Sequence, residues 1–181
     1  MSTKIEATIE DLYAVEGKAE IINGEIVYMS PTGTLPNRAA GNIYISLRGY
    51  ERSSGSDGHA FTDNTAFEVN LPHRKAFSPD AGFYHGEVSM KFAKGAPVFA
   101  VEVRSEGDYG AAMECEMEQK RADYFACGTL VVWDVDLISR DTIRAFGKND
   151  PDNPRIFRRG GVANAEPAVP GWTMAVDELF V

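Results

Sequence analysis

Two carboxylates embedded in apolar segments, and one lysine on the helix that follows, carry the chemistry legible in this chain. Asp80 lies in Phe77-Ser78-Pro79-Asp80-Ala81-Gly82-Phe83-Tyr84, and Glu102 in Pro97-Val98-Phe99-Ala100-Val101-Glu102-Val103. An ionised carboxylate among valines and phenylalanines is costly unless a cation or strong donors compensate it. A divalent metal held by Asp80 and Glu102 would do so. Lys120 would then stabilise charge on a reacting phosphate. The chemistry of such a set is metal-dependent hydrolysis of a phosphodiester, in which the metal activates water and draws charge from the phosphate oxygens. Mg2+ suits these donors, because it is hard, prefers oxygen and takes one or two protein carboxylates while keeping several waters. Mn2+ is the alternative ion. The backbone carbonyl of Val103 would add a third oxygen.

Ordinary structural explanations stand beside these roles. Asp80 could make a turn after Pro79, and Lys120 could be a solvated helix residue paired with Glu116 at i−4. Glu102 has no comparable excuse in so apolar a run. His59, His73 and His85 show no ligand spacing and read as surface or capping residues. Ser105 has no evident His–Asp partners, so serine hydrolase chemistry is not expected. Cys115 and Cys127 would stand about 18 Å apart on one helix, too far to bridge, and neither has a second cysteine at zinc spacing.

The elements that must position these residues follow from periodicity. Thr8 and Asp11 resemble a capping box, predicting a short helix from about Ile9 to Val15. Ala19–Ile22 and Glu25–Met29 flank Asn23-Gly24, the pair favoured by a type I′ hairpin turn. Ala39, Ala40, Ile43, Leu47 and Tyr50 recur at helical spacing, predicting a helix over 37–52. Strand-like runs follow at His59–Phe61 and Thr65–Val69 and in the Asp80 and Glu102 segments, with 86–95 read as a connecting loop. A helix over Tyr109–Ala126 stops at Gly128. The buried strand Thr129–Val135 pairs with Thr142–Phe146. Lys148–Pro154 reads as a turn, Arg155–Arg158 as an edge strand and Trp172–Val181 as a packed tail. This order predicts a mixed α/β or α+β fold.

The chain has 181 residues, 44% hydrophobic and 25% charged, and is read as one domain, 1–181. A net charge of −9 argues against a protein that coats nucleic acid with its whole surface, though a locally basic groove is compatible with it. No run approaches the roughly 20 apolar residues of a membrane span, and Met1–Glu6 lacks the apolar region of a secretory signal. A cytoplasmic protein that does not engage membranes is the expectation. Arg74, Lys75, Arg155, Arg158 and Arg159 form either a phosphate-facing patch or a solvated edge.

Several segments taken together resemble the Uma2 family (the DUF820 group) of restriction endonucleases within the PD-(D/E)XK nuclease superfamily. They are Glu20-Ile21-Ile22-Asn23-Gly24-Glu25-Ile26-Val27 with Met29-Ser30-Pro31, then Pro79-Asp80, then Val101-Glu102-Val103 with Ser105. Lys120, Tyr124, Gly128, Trp133 and Asp136 continue the pattern, which closes with Pro170-Gly171-Trp172 and Glu178-Leu179-Phe180. The resemblance implies a restriction-endonuclease-like fold, a mixed central sheet flanked by helices, with metal ligands at Asp80 and Glu102. It implies that the superfamily lysine has moved to the following helix as Lys120. Glu20 matches an acidic residue that approaches the metal site, or is an exposed hairpin residue. Two departures stand out. Arg104 holds the strand position of the superfamily lysine and so competes with Lys120 for one role, and the connection from Glu106 to Glu118 is long and acidic.

The expected function is therefore a metal-dependent endonuclease acting on duplex DNA, with a homodimer suited to cutting both strands. A nuclease fold without chemistry, serving as a binding or assembly module, is the rival, and Lys120 pointing away from Asp80 would favour it. A phosphoesterase of small nucleotides is a third reading, which expects a narrow pocket.

Overall fold

A computed structural model describes residues 6–181 of the chain. The short helix α1 (Ile9–Tyr13) opens on the expected capping box, in which the Asp11 amide donates to Thr8 Oγ1 and the Thr8 amide donates to Asp11. The hairpin β1 (Ala19–Ile22) and β2 (Glu25–Tyr28) turns at Asn23 and Gly24, both with positive φ (52° and 74°), as a type I′ turn requires. The helix α2 spans Thr34–Ser54, a turn longer at its start than the periodicity indicated. Next come β3 (His59–Thr62), β4 (Phe67–Glu68), β5 (Ala76–Phe77), β6 (Ala81–Tyr84), β7 (Ala93–Lys94) and β8 (Phe99–Val103). The helix α3 (Ala111–Ala126) follows, then β9 (Val131–Val135), β10 (Ile143–Gly147), β11 (Asp150–Phe157), β12 (Val162–Asn164), β13 (Thr173–Ala175) and a 3-10 turn over Val176–Phe180.

The central sheet has six strands in the order β11-β10-β9-β8-β6-β3. Only β8 and β9 run parallel, joined by the α3 crossover; the other pairs are antiparallel. The sheet is thus mixed and flanked by helices, as the resemblance implied. Strand alternation decides which helix each side chain meets. Phe99, Val101 and Val103 pack with Ala39, Ala40, Ile43 and Leu47 of α2, while Ala100 packs with Tyr124 and Phe125 of α3. Glu102, in step with Ala100, therefore faces α3.

Two expectations are corrected. Residues 86–95 are not wholly loop, because β7 adds a parallel strand beside β4. The segment Lys148–Pro154 is not simply a turn, because β11 begins at Asp150 and carries Pro151 and Pro154. Proline lacks the N–H a ladder needs, but β11 is an edge strand, and its register with β10 shifts between Ala145 and Gly147, so the prolines are accommodated. The packed tail is confirmed, with Trp172, Val176 and Leu179 in the main core.

The β1–β2 hairpin lies against the segment leading into β5. The Lys75 amide donates to the Ile21 carbonyl (3.0 Å) and the Asn23 amide to the His73 carbonyl (2.7 Å). That docking carries Glu20 into the interior.

Candidate active site

Glu102 is the centre of the site. It receives the Lys120 ammonium at 2.9 Å and a hydrogen bond from the Tyr124 hydroxyl at 2.7 Å, both on Oε1. Lys120 and Tyr124 are four residues apart on α3 and so project from one face of it. The same ammonium lies 3.0 Å from Oε1 of Glu20. Lys120 thus bridges two acids from separate strands instead of reaching back along its helix to Glu116.

Glu20 is only 1% exposed, which overturns the hairpin-surface alternative. Besides Lys120 it is paired with Arg74, and its Oε1 accepts the Ser78 amide at 2.9 Å. Burial pushes its carboxyl up, but Lys120 and Arg74 outweigh burial and hold it below the usual carboxylate range. Burial and the nearby Asp80 instead leave Glu102 above its ordinary value, although Lys120 opposes them. Desolvation alone would pull the Lys120 ammonium down; Glu102 and Glu20 overcome it and raise its pKa. The Tyr124 hydroxyl is raised by burial and by Glu102, so it remains a donor.

Asp80 sits at the bend before β6. The last paired residues there are Ala81 and Val101, so one step further along the register Asp80 and Glu102 stand on adjacent chains. The Val103 amide donates to Asp80 Oδ2 at 2.8 Å. Oδ1 accepts from the Lys18 ammonium at 2.7 Å, and the same ammonium is 2.7 Å from Asp63 Oδ1. Burial would lower the pKa of Lys18, but Asp80 and Glu102 raise it. Beyond Asp80 a small hollow opens, walled by Thr32, Asn37, Asp63 and Val103.

Counting charges tests whether a cation fits. Glu20, Asp63, Asp80 and Glu102 supply four negative charges, against three positive from Lys18, Lys120 and Arg74. Arg74 is also shared with Asp123, whose Oδ2 accepts from it at 2.8 Å. A half-buried site short of positive charge attracts a cation, and Asp80 with Glu102 provides the two hard oxygen donors that Mg2+ commonly takes from protein. Among the described residues, no three His, Cys, Asp or Glu side chains close into a ready-made cage. The donor set therefore suits a metal that keeps most of its water.

The profile of the Uma2 family, described as "Putative restriction endonuclease", matches residues 8–177. The chain belongs to the Uma2 family. Its fold matches a solved structure described as a "putative nuclease belonging to DUF820 from Anabaena variabilis ATCC 29413", with a TM-score of 0.73. That alignment covers 96% of this chain and 97% of the other at 14% identity, so what it shows is the shared fold. No curated protein matches the chain. The nuclease connection therefore rests on the family description.

Set in this Uma2 chain, Arg104 and Lys120 no longer compete. Arg104 turns toward Asp134, which accepts from its Nε and Nη2 at 2.8 Å each, and it also pairs with Glu114. Those bonds raise its pKa further, and Glu114, part of the acidic connection, is consumed in holding it. The suspected arginine patch does not assemble. Arg74 is buried, Arg155 donates to Asn164 at 2.7 Å, Arg158 pairs with Asp141 at 2.7 Å, and Arg159 with Asp177 at 2.9 Å. Each histidine has a carboxylate partner: His59 with Glu51, His73 with Asp123, His85 with Asp57. Cys115 and Cys127 are free thiols. No helix among the described residues is long and apolar enough to cross a membrane.

Sequence reasoning missed Lys18 and Asp63. Lys18 precedes β1 in Gly17-Lys18-Ala19, and Asp63 follows β3 in Thr62-Asp63-Asn64. Both occupy turn-like polar stretches with no spacing to mark them. Tyr124 carried a signal, since it lies four residues after Lys120.

Proposed function

We propose that this protein is a metal-dependent DNA endonuclease, using Asp80 and Glu102 to hold Mg2+ or Mn2+, Lys120 as charge stabiliser and Glu20 as an accessory acid. The observation that carries this reading is the convergence of Lys120 on Glu102 and Glu20, with Asp80 beside Glu102. The residues come from a helix, two strands and a bend, and one hydrolytic site explains why so many charges share a half-buried place. A bound divalent ion would activate water and polarise the phosphate.

The chain's own residues divide the remaining work. Lys120, held protonated by its two carboxylates, cannot serve as a base at neutral pH; it neutralises charge developing on the phosphate. Tyr124 fixes the orientation of Glu102 by donating to it. Glu20, anchored by Arg74 and the Ser78 amide, fixes Lys120 from the other side. The Val103 amide orients Asp80, and the Val103 carbonyl would be the third oxygen.

The test is cleavage of duplex and single-stranded DNA by the purified protein with Mg2+ or Mn2+. Wild type should cut, and Glu102→Ala should lose cutting while keeping its circular dichroism spectrum. Absence of divalent-ion binding by calorimetry at millimolar metal would overturn the reading. Sedimentation during the same work tests the homodimer, expected because two-fold symmetry suits a duplex.

A second reading, a Uma2 fold that binds without cutting, is favoured by one observation. Lys18 and Lys120 already bring ammonium groups within 3.0 Å of Asp80, Glu102 and Glu20. It predicts DNA binding unaffected by metal and by Glu102→Ala.

A further inference from the structure

A further acid stands beside Glu102, and it is over-supplied with cations. Asp134 on β9 pairs in register with Glu102 on β8 and with Arg144 on β10. The three side chains therefore form one row on the sheet face that packs against α3. Strands in a sheet stand about 4.8 Å apart, which puts Arg144 two strand spacings from Glu102. From α3, Lys120 reaches Glu102 while the next residue, Arg121, reaches toward Asp134.

Three guanidiniums thus surround one buried carboxylate. Arg104 takes both Asp134 oxygens and holds Glu114 with its remaining edge. Arg144 Nη2 lies 2.8 Å from Asp134 Oδ2. Arg121 Nη1 lies 3.7 Å from the same oxygen, beyond hydrogen-bond reach. Among the described residues neither Arg121 nor Arg144 has another hydrogen bond or ion pair, although each guanidinium carries five N–H donors. Arg121 Nη1 and Arg144 Nε are shielded from solvent and unpartnered, so they serve no ligand. Nε and Nη2 of Arg121 and Nη1 of Arg144 are neither bonded nor shielded. The two side chains are 16% and 29% exposed, and these are the edges that meet solvent. The Arg121 guanidinium is anchored 4.0 Å over the Phe146 ring.

Charge and shape select the ligand. Asp134 and Glu114 bring two negative charges to three guanidiniums, leaving one positive charge in excess. Glu118 is exposed and makes no ion pair with Arg121 among the described residues. Burial lowers the pKa of Arg121, Asp134 opposes it and the nearby Arg144 adds to it. An anion would relieve both penalties. A carboxylate offers two oxygens in one plane and suits a single guanidinium fork. A phosphate presents its oxygens around a tetrahedron, so two guanidiniums arriving from a helix and a strand can share it.

We propose that Arg121 and Arg144 form a phosphate-binding site, separate from the Asp80–Glu102 site and needing neither metal nor cleavage. The phosphate belongs to a nucleic-acid strand or to a free small molecule; both offer the same oxygens to the two guanidiniums.

Inorganic phosphate in metal-free buffer, at constant ionic strength, probes the site directly. In nitrogen-15 spectra of arginine side chains, the Nε–H signals of Arg121 and Arg144 should shift and saturate at millimolar phosphate. Chloride and acetate should leave them in place. Arg121→Gln, read on Arg144, and Arg144→Gln, read on Arg121, should each weaken the response about tenfold. Circular dichroism checks both folds, and if one variant does not fold the other decides. No saturable shift, an equal shift with chloride or acetate, or a full response in every folded variant overturns the proposal. Fluorescence anisotropy of a 12-nucleotide single strand then names the source. A salt slope lowered by about 0.7 in Arg121→Gln supports the site as a nucleic-acid contact. An unchanged slope alongside phosphate binding supports it as a site for a free phosphate. Neither result depends on whether DNA is cut, so failure of the nuclease reading leaves this site standing.

Discussion

The Lys18 ammonium lies 2.7 Å from Oδ1 of Asp80 and 2.7 Å from Oδ1 of Asp63, so a lysine tethers two carboxylates at the mouth of the site. A divalent ion drawn to Asp80 must compete with that ammonium. Replacing it by the uncharged Lys18→Met removes the competitor and leaves Asp63 and Asp80 unneutralised. Mn2+ affinity should then rise about tenfold, or ~1.4 kcal/mol, by calorimetry. Unchanged or weaker Mn2+ binding would mean that Lys18 and the metal occupy separate places.

Lys120 is predicted to matter to fold and chemistry together. Glu20 is buried with Lys120 and Arg74 as its charged partners, and removing one leaves a strong acceptor undersatisfied. Lys120→Met should destabilise the protein by about 2 kcal/mol and abolish metal-dependent cleavage. The double variant Glu20→Gln/Lys120→Met should recover part of the stability but none of the cleavage. Urea titrations and a plasmid-nicking assay, run in parallel, separate the two effects. A stable Lys120→Met protein that still cuts would remove Lys120 from both roles.

The parts of this site visible in the sequence were those with local grammar. Asn23-Gly24 marked the hairpin because few pairs accept positive φ at both turn positions. Glu102 stood out because strand alternation gives a mid-strand side chain a definite face, and an acid there needs a partner. Lys18 and Asp63 were invisible because their meeting depends on the segments before β1 and after β3 both arriving at Asp80, a relation no local period encodes. The burial of Glu20 was equally hidden, since alternation within a two-stranded hairpin does not say that the chain through Lys75 will cover it. The turn expected at Pro151 and Pro154 misjudged an edge strand, where one row of N–H groups has no ladder to join.

Arg104 tests the opposite case, a cation beside the site that does not serve it. Its guanidinium grips Asp134 through Nε and Nη2, a two-pronged fit that an ammonium cannot reproduce. Arg104→Lys should cost about 2–3 kcal/mol of stability by thermal or urea unfolding. Cleavage per folded molecule should change less than threefold. Loss of cleavage at full stability would return Arg104 to the catalytic role its strand position suggested.

Arg38 is exposed on α2, next to the hollow-lining Asn37, and its side chain makes no ion pair or hydrogen bond with the other described residues. In a protein of net charge −9 such an unpaired cation beside the site is the natural contact for a flanking phosphate. Arg38→Ala should weaken DNA binding about equally across sequences and reduce the slope of log K against log salt by about 1. Fluorescence anisotropy from 25 to 200 mM NaCl measures the slope, and an unaltered slope removes Arg38 from the interface.

Acid should weaken the support behind Glu20 only once the pH falls below the ordinary carboxylate range. Asp123 accepts from Arg74 at 2.8 Å and from Gln119 at 2.8 Å, and it pairs with His73 at 2.7 Å. Burial pushes its carboxyl up, but these donors outweigh burial and hold it below the ordinary value. A carboxyl depressed by folding adds stability that is fully present above its unfolded value of about 3.9, and is lost as pH falls through the depressed folded value. Asp123→Asn should therefore be less stable than wild type by about 2 kcal/mol at pH 7. That gap should close progressively below pH 4. Urea unfolding of both proteins between pH 7 and pH 2.5 gives the gap directly. A gap that widens as the pH falls below about 4 would mean that Asp123 binds its proton more readily in the folded chain, contrary to the hydrogen bonds that surround it.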